Sequence, residues 1–438
     1  MTDVREAADR FHRADDVAGA AGSSSTGPGT GTGNRLDPPR PRRRELRRFR
    51  RRTRLAVCVY TLTTLAAVSG LVLLGVEGYR TTRNLRGGTE DTGITDSSAP
   101  GFQAEVKPTP TRLLLNIDSA GQLTDSQLLV SGPNGQGGAV VFIPGATLIQ
   151  AADVPGSTLA QLFDSGGTAE VQRRIETILG FSILEVTEVD PAALAELTKS
   201  AGTITIQNPD NLFAEDAAGQ RQQLFAAGTL DLQPEQVAAY VGLEVKGESA
   251  TNRSARSQLV WESWLELLDD PARREGLSAL QDSVLSAVGS DIAGIASGTY
   301  SVKQLPLRRV VIPDEKQGVL FLPDAELTLQ QIAPLVPFPT SAFPGQRVKV
   351  RVLKGTPSVA IDLAVTKPIV GSGGEIVVIG NADSFDVARS TIVYREPALA
   401  DAATVIAKQL GLSATPTEDP AQPENIDVSI VLGADFGS

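Results

Sequence analysis

The chain has almost no histidine, cysteine or methionine: its 438 residues include one of each, and two tryptophans. A lone cysteine, Cys58, cannot close an internal disulfide, so no framework of crosslinks holds this protein together. Zinc sites built on Cys and His need more ligands than Cys58 and His12 supply. Catalytic triads that rely on an imidazole base would have to use His12, which sits in a polar stretch and reads as a solvated side chain. Any bound metal is therefore a hard cation held by oxygen ligands.

Lysine is missing from the first 54 residues, which nevertheless carry 14 Arg against 7 Asp plus Glu. The whole chain has a net charge of −11, so a basic tail precedes a strongly acidic body. Residues 1–54 read as a disordered tail, because 19–34 are almost all Gly, Ser, Thr and Ala and cannot bury enough surface to offset the entropy of ordering. Nine of the arginines crowd between Arg42 and Arg54. An uncharged run then follows from Leu55 to Val76. Its 22 residues, at about 1.5 Å of rise each, are long enough to cross a hydrocarbon core of roughly 30 Å. Arginine on its N-terminal side predicts a single-pass membrane helix, with a cytoplasmic N-terminus and an extracytoplasmic body. In that setting the arginines are a topology signal, and no nucleic-acid partner is expected.

Residues 77–108 read as a linker, punctuated by Gly87, Gly88, Gly93, Pro100 and Pro108. A folded domain is expected over 109–312. Apolar runs at Arg112–Ile117, Gln127–Val130 and Ala139–Ile143 predict buried strands. Val171, Ile175, Ile178 and Leu179 recur at helical spacing. Asp190-Pro191 marks a helix start, and a helix is expected over Ser254–Leu268. Residues 313–346 read as a connecting segment; short strands are expected at Arg309–Ile312 and Val319–Leu322, a helix near Thr328–Leu335, and then a proline-rich exit. A last domain, 347–438, has strands at Val348–Leu353, Glu375–Ile379, Ser390–Tyr394 and Val428–Leu432, with a helix over Ala398–Leu410. The predicted fold class is α/β throughout: a sandwich domain followed by a smaller α/β domain.

Two stretches carry a family resemblance. Val350-Arg-Val-Leu-Lys-Gly355, Gly380-Asn-Ala382, Thr391-Ile-Val-Tyr394 and Val431-Leu-Gly-Ala-Asp435 resemble the LytR C-terminal domain in order and spacing. Leu113-Leu-Leu-Asn-Ile-Asp-Ser119, Thr124-Asp-Ser126, Phe142-Ile-Pro144, Leu232 to Val241 and Asn252-Arg-Ser-Ala-Arg-Ser-Gln258 resemble the catalytic domain of the LytR-CpsA-Psr family. The resemblance implies a membrane-anchored cell-envelope protein. Members of that family move a glycopolymer from a polyprenyl pyrophosphate carrier to peptidoglycan, with Mg²⁺. It makes Asp118 and Asp125 candidate Mg²⁺ ligands, and Arg253, Arg256 and Gln258 candidate phosphate-binding residues. As residues alone, the two aspartates equally suit turns, the arginines an ion pair or solvated face, and Gln258 a helix surface.

Cleaving a pyrophosphate needs cationic clamps. Where the family has arginines, this chain has Gly145, Gly242, Glu244 and Ala120, and Thr158 stands loosely at the place of a lysine. The favoured expectation is therefore a non-catalytic binding or scaffolding member, with polyprenyl-linked glycan, peptidoglycan or an active relative as partner. An active phosphotransferase with a rearranged site, and a membrane-bound regulator, stand as alternatives. In the phosphotransferase case Arg112, Arg173, Arg174 or Lys246 would have to rebuild the clamp.

Overall fold

Leu113, Leu114 and Leu115 form an unbroken apolar run, and the computed structural model shows why no polar residue interrupts it. Leu113 and Leu115 enter a core on one face of a sheet, while Leu114 enters a second core on the other. Successive side chains of a strand point to opposite faces, so a strand covered on both sides loses its polar alternation. All three leucines are at most 1% exposed. Each contributes on the order of 1.5–3 kcal/mol through burial. The structure describes residues 94–150, 156–215, 219–245, 248–311 and 319–437.

This sheet has five strands, in the order Tyr300–Gln304, Gly138–Pro144, Leu123–Ser131, Thr111–Ile117 and Glu185–Val189. The three central strands run antiparallel, and each outer strand runs parallel to its neighbour. The helix Leu159–Leu179 covers one face. Gly167, at φ 65°, interrupts its helical geometry, so the periodic stretch from Val171 to Leu179 follows a break. Helices Pro234–Gly242, Ala250–Leu267 and Ser283–Ala296 cover the other face. There Trp261 packs edge-on to Phe142 at 6.1 Å, and Trp264 lies 4.9 Å from Trp261. The helix Pro191–Thr198 begins as expected, with Asp190 accepting a hydrogen bond from Ala193 N–H at 2.7 Å.

Several elements were not legible in the pattern. Ala250–Leu267 starts earlier than expected, with Ser249 as its N-cap. Helices Pro271–Ser278 and Ser283–Ala296 and the edge strand Tyr300–Gln304 were not anticipated. The connecting stretch, by contrast, holds its expected short strands, and a helix over Ala325–Gln331 close to the one expected. Val319–Pro323 pairs with Leu307–Val311, and Ile332 and Val336 join the core of the first sheet.

The second sheet has six strands, ordered Gln103–Glu105, Gly374–Asn381, Val348–Lys354, Val428–Leu432, Thr391–Tyr394 and Thr417–Glu418. Its core gathers Val350, Val352, Ile376, Ile392 and Ile430 with the helices Leu363–Gly371 and Ala400–Gln409. The first of its strands comes from the stretch read as a linker, more than 200 positions upstream of its partner. Both domains are mixed α/β. Among the described residues no helix is long and apolar enough to cross a membrane. The Arg-rich tail, the expected span at 55–76 and most of the linker lie outside the described residues.

Candidate functional site around Asp125

The strands Thr111–Ile117 and Leu123–Ser131 are joined by a tight turn, and Asp118 builds it. Its Oδ1 accepts from Ala120 N–H at 2.8 Å and from Gln122 N–H at 2.9 Å. This is the turn role that a short acidic side chain performs well. Past the turn, Asp125 lies opposite Asn116 on one side and Pro144 on the other.

Asp125 shares a sheet face with Gln127 and Leu129, so it continues the apolar core as a polar end. It is 5% exposed and Gln127 is fully buried. Asp125 Oδ1 accepts from Ser126 N–H at 3.0 Å, and Oδ2 accepts from Gln127 Nε2 at 3.3 Å. Gln127 Oε1 in turn accepts from Asn116 Nδ2 at 2.7 Å. Burial pushes the Asp125 carboxyl up to about 8, against the opposing pull of the Ser126 N–H, the Arg253 guanidinium and the Gln127 amide. At neutral pH this group is therefore mostly a neutral acid.

The helix Ala250–Leu267 brings the other candidates to this face. Arg253 donates from Nη1 to Glu244 Oε1 at 2.7 Å. Arg256 is 4% exposed and is engaged from several sides. Its Nε and Nη2 grip both Glu248 oxygens, at 2.9 and 2.8 Å. Nη1 donates to Tyr240 O, and Nη2 also to Leu243 O at 2.7 Å. Four of its five N–H donors, the full complement of a guanidinium, are committed within the fold. Gln258 turns to the edge strand instead, donating to Gln304 Oε1 at 3.4 Å.

The candidate cations for a rebuilt clamp do not converge. Arg112 pairs with Asp291 at 2.6 Å, and Arg173 and Arg174 both pair with Glu170. Lys246 lies outside the described residues. The groove beside the turn has a volume of about 430 Å³. Four carboxylates line it, those of Asp118, Asp190, Glu235 and Glu244, and its described lining includes no Lys or Arg.

Magnesium takes oxygen ligands, carboxylates and waters among them, in near-octahedral array. Of the two aspartates named for it, Asp118 uses its Oδ1 in the turn, and Asp125 accepts from Ser126 N–H and Gln127 Nε2. Among the described residues no group of three or more acidic side chains is placed to hold a metal. Sequence reasoning found Asp125 and Arg253 but missed Asn116, Gln127 and Glu248. None of these three carries a spacing signal, since each acts across strands or across the loop before a helix.

Residues 347–436 match the family described as LytR cell envelope-related transcriptional attenuator. No curated protein matches the chain in sequence. Among solved structures, TagV of B. subtilis is 15% identical, with 51% of this chain and 94% of that chain covered and a TM-score of 0.40. TagT bound to LIIa-WTA is 15% identical, covering 54% and 89%, with a TM-score of 0.38. The Lin1025 protein from Listeria innocua is 17% identical, covering 52% and 96%, with a TM-score of 0.36.

Proposed function

We propose that this chain is a membrane-anchored, extracytoplasmic cell-envelope protein in which a glycopolymer-transferase scaffold has become a non-catalytic binding or scaffolding module. The match of residues 347–436 supports an envelope role. The apolar run at 55–76 supports the anchor.

One observation carries the non-catalytic reading. The groove beside the Asp118 turn is lined by four carboxylates and, in its described lining, by no Lys or Arg, while Arg253 and Arg256 are held by Glu244 and Glu248. A polyprenyl pyrophosphate brings two or more negative charges, which a carboxylate lining repels. Transition-state stabilisation of phosphoryl transfer needs cations there. A neutral or amine-bearing glycan strand suits such a lining better than a diphosphate.

The decisive experiment uses the purified full chain in detergent, with a polyprenyl pyrophosphate analogue and Mg²⁺, alongside calorimetry with peptidoglycan fragments. The expected result is no phosphate release, with fragment binding retained. Turnover that Asp125→Ala abolishes would overturn the reading.

A second reading rests on Arg253. Its partner Glu244 is 78% exposed in its side chain, and such pairs contribute only about 0–1 kcal/mol. If Arg253 swings from Glu244 toward a bound phosphate, residual transfer survives. Glu244→Gln would then raise phosphate affinity, whereas the non-catalytic reading expects no change in turnover.

A further inference from the structure

Beside the outer strands of the second sheet lies a cavity of about 220 Å³, distinct from the groove at the Asp118 turn. Strand pairing builds its charged side. Lys349 lies opposite Glu375, and residues paired across neighbouring strands project to the same face. The register slips after this pair, from Val350 opposite Ile376 to Arg351 opposite Val378. A slip of this kind re-aims side chains, and here it returns Val378 to the face that holds Glu375. Glu105 lies opposite Val378 on the outer strand and so joins them. The apolar lining comes from Val106, Pro108, Phe338 and Pro339.

Glu375 is 8% exposed, yet only one of its oxygens is satisfied. Oε2 accepts from Ser341 N–H at 3.1 Å, and Oε1 has no donor among the described residues. Burial pushes this carboxyl above its ordinary value, against the pull of the Ser341 N–H and of the Arg347 and Lys349 charges. Arg347 spends its donors on the carbonyls of Gly180, Val370 and Gly374 instead. Lys349 forms no ion pair among the described residues. Asn425 also lines the cavity, and its Oδ1 is buried without a hydrogen-bond partner among them. Buried polar groups are as a rule hydrogen-bonded, so acceptors left over at one cavity call for a partner.

The free groups define the ligand. Acceptors are in excess: Glu375 Oε1, Asn425 Oδ1 and the exposed Glu105 carboxylate. A primary ammonium brings three donors and the opposite charge. Lys349 shares the face of Glu375, so it disfavours a bare cation and suits a carboxylate. The volume lies below the roughly 300–1,000 Å³ of sites for drug-sized ligands, so the bound group is small. We propose that this cavity binds an α-amino-acid group, its ammonium held by Glu375 and its carboxylate by Lys349. Either a free amino acid or a peptide side chain ending in the same two groups presents that chemistry. The site lies on the second sheet, so its test is independent of turnover in the first domain.

The test is calorimetry of the full chain in detergent with L- and D-alanine, beside N-acetylalanine and alanine amide, which lack the ammonium and the carboxylate in turn. Alanine is expected to bind, and each blocked form to bind about tenfold more weakly, the loss of one charge-assisted contact. Glu375→Gln keeps an acceptor for Ser341 N–H but drops the charge, and should weaken alanine by about tenfold. Lys349→Gln should weaken alanine and leave alanine amide unchanged. A tripeptide ending in diaminopimelate carries a second amino-acid end on its side chain. Tighter binding of that peptide than of alanine would support a peptide as the source, and the reverse order a free amino acid. Failure of all these compounds to bind the wild type would overturn the proposal. So would alanine binding that N-acetylation or Glu375→Gln leaves unchanged.

Discussion

Arg256 and Glu248 are joined by two parallel hydrogen bonds, at 2.9 and 2.8 Å, with side chains only 4% and 12% exposed. The pair ties the start of the helix Ala250–Leu267 to the preceding loop, and the same guanidinium donates to Tyr240 O and Leu243 O at the end of the helix before it. Arg256 is thus a bolt between two helices, with its charge already met.

Removing one partner of a buried pair leaves the other charge uncompensated, at a cost of about 3–5 kcal/mol. Arg256→Ala is therefore expected to lower the denaturant midpoint sharply. Arg256→Lys should fail to rescue it, since an ammonium cannot bridge both Glu248 oxygens and two carbonyls. A midpoint unchanged in Arg256→Ala would contradict the structural role.

Asp125 makes stability depend on pH. Its ordinary value is 3.8 and its folded value about 8, so between those limits the folded chain holds a proton that the unfolded chain has released. Stability then falls as pH rises through that window, by up to about 1.4 kcal/mol per pH unit, and levels off above it. Asp125→Asn removes this penalty. Urea titrations at pH 5 and pH 8 should show the variant gaining on the wild type at the higher pH. An equal difference at both values would refute the assignment.

Where Gln103–Glu105 joins the second sheet, Asn381→Ala deletes the donors to Ser97 O and Ala99 O, and Gly380→Val places carbon against Phe102 O. Both should speed amide exchange at Gly101 and Val106, whose N–H groups donate to Ala382 O and Val377 O. Protection in the Val428–Leu432 strand should stay as it was. Unchanged exchange at Gly101 and Val106 would show that these contacts do not hold the segment.

Arg347 is 5% exposed and donates to carbonyls of both domains, Gly180 O at 3.2 Å on one side and Val370 O and Gly374 O at 2.7 and 2.9 Å on the other. Burial pulls its guanidinium down to about 10. Arg347→Ala strands these carbonyls, each at about 1–3 kcal/mol where no water reaches. The expected reading is a lower melting temperature, with Arg347→Lys barely better. A melting temperature equal to wild type would show that the carbonyls find other donors.

The sequence by itself determined the local elements and the chemical exclusions. Leu113 to Leu115 marked a buried strand, Asp190-Pro191 marked a helix start, and the scarcity of His and Cys removed whole classes of catalysis. These follow from forces that act within a few residues: side-chain alternation, capping and composition. Tertiary structure alone decided what the charged residues do. Arg253 and Arg256 share a helix start, yet Arg253 meets the exposed Glu244, while Arg256 is buried against Glu248 and two carbonyls at the end of the preceding helix. The upward shift of Asp125 depends on the layers that bury it, and the strand Gln103–Glu105 depends on an edge more than 200 residues away. Burial and long-range pairing are properties of the assembled chain, because the atoms that desolvate a charge or complete a sheet come from segments no local pattern connects.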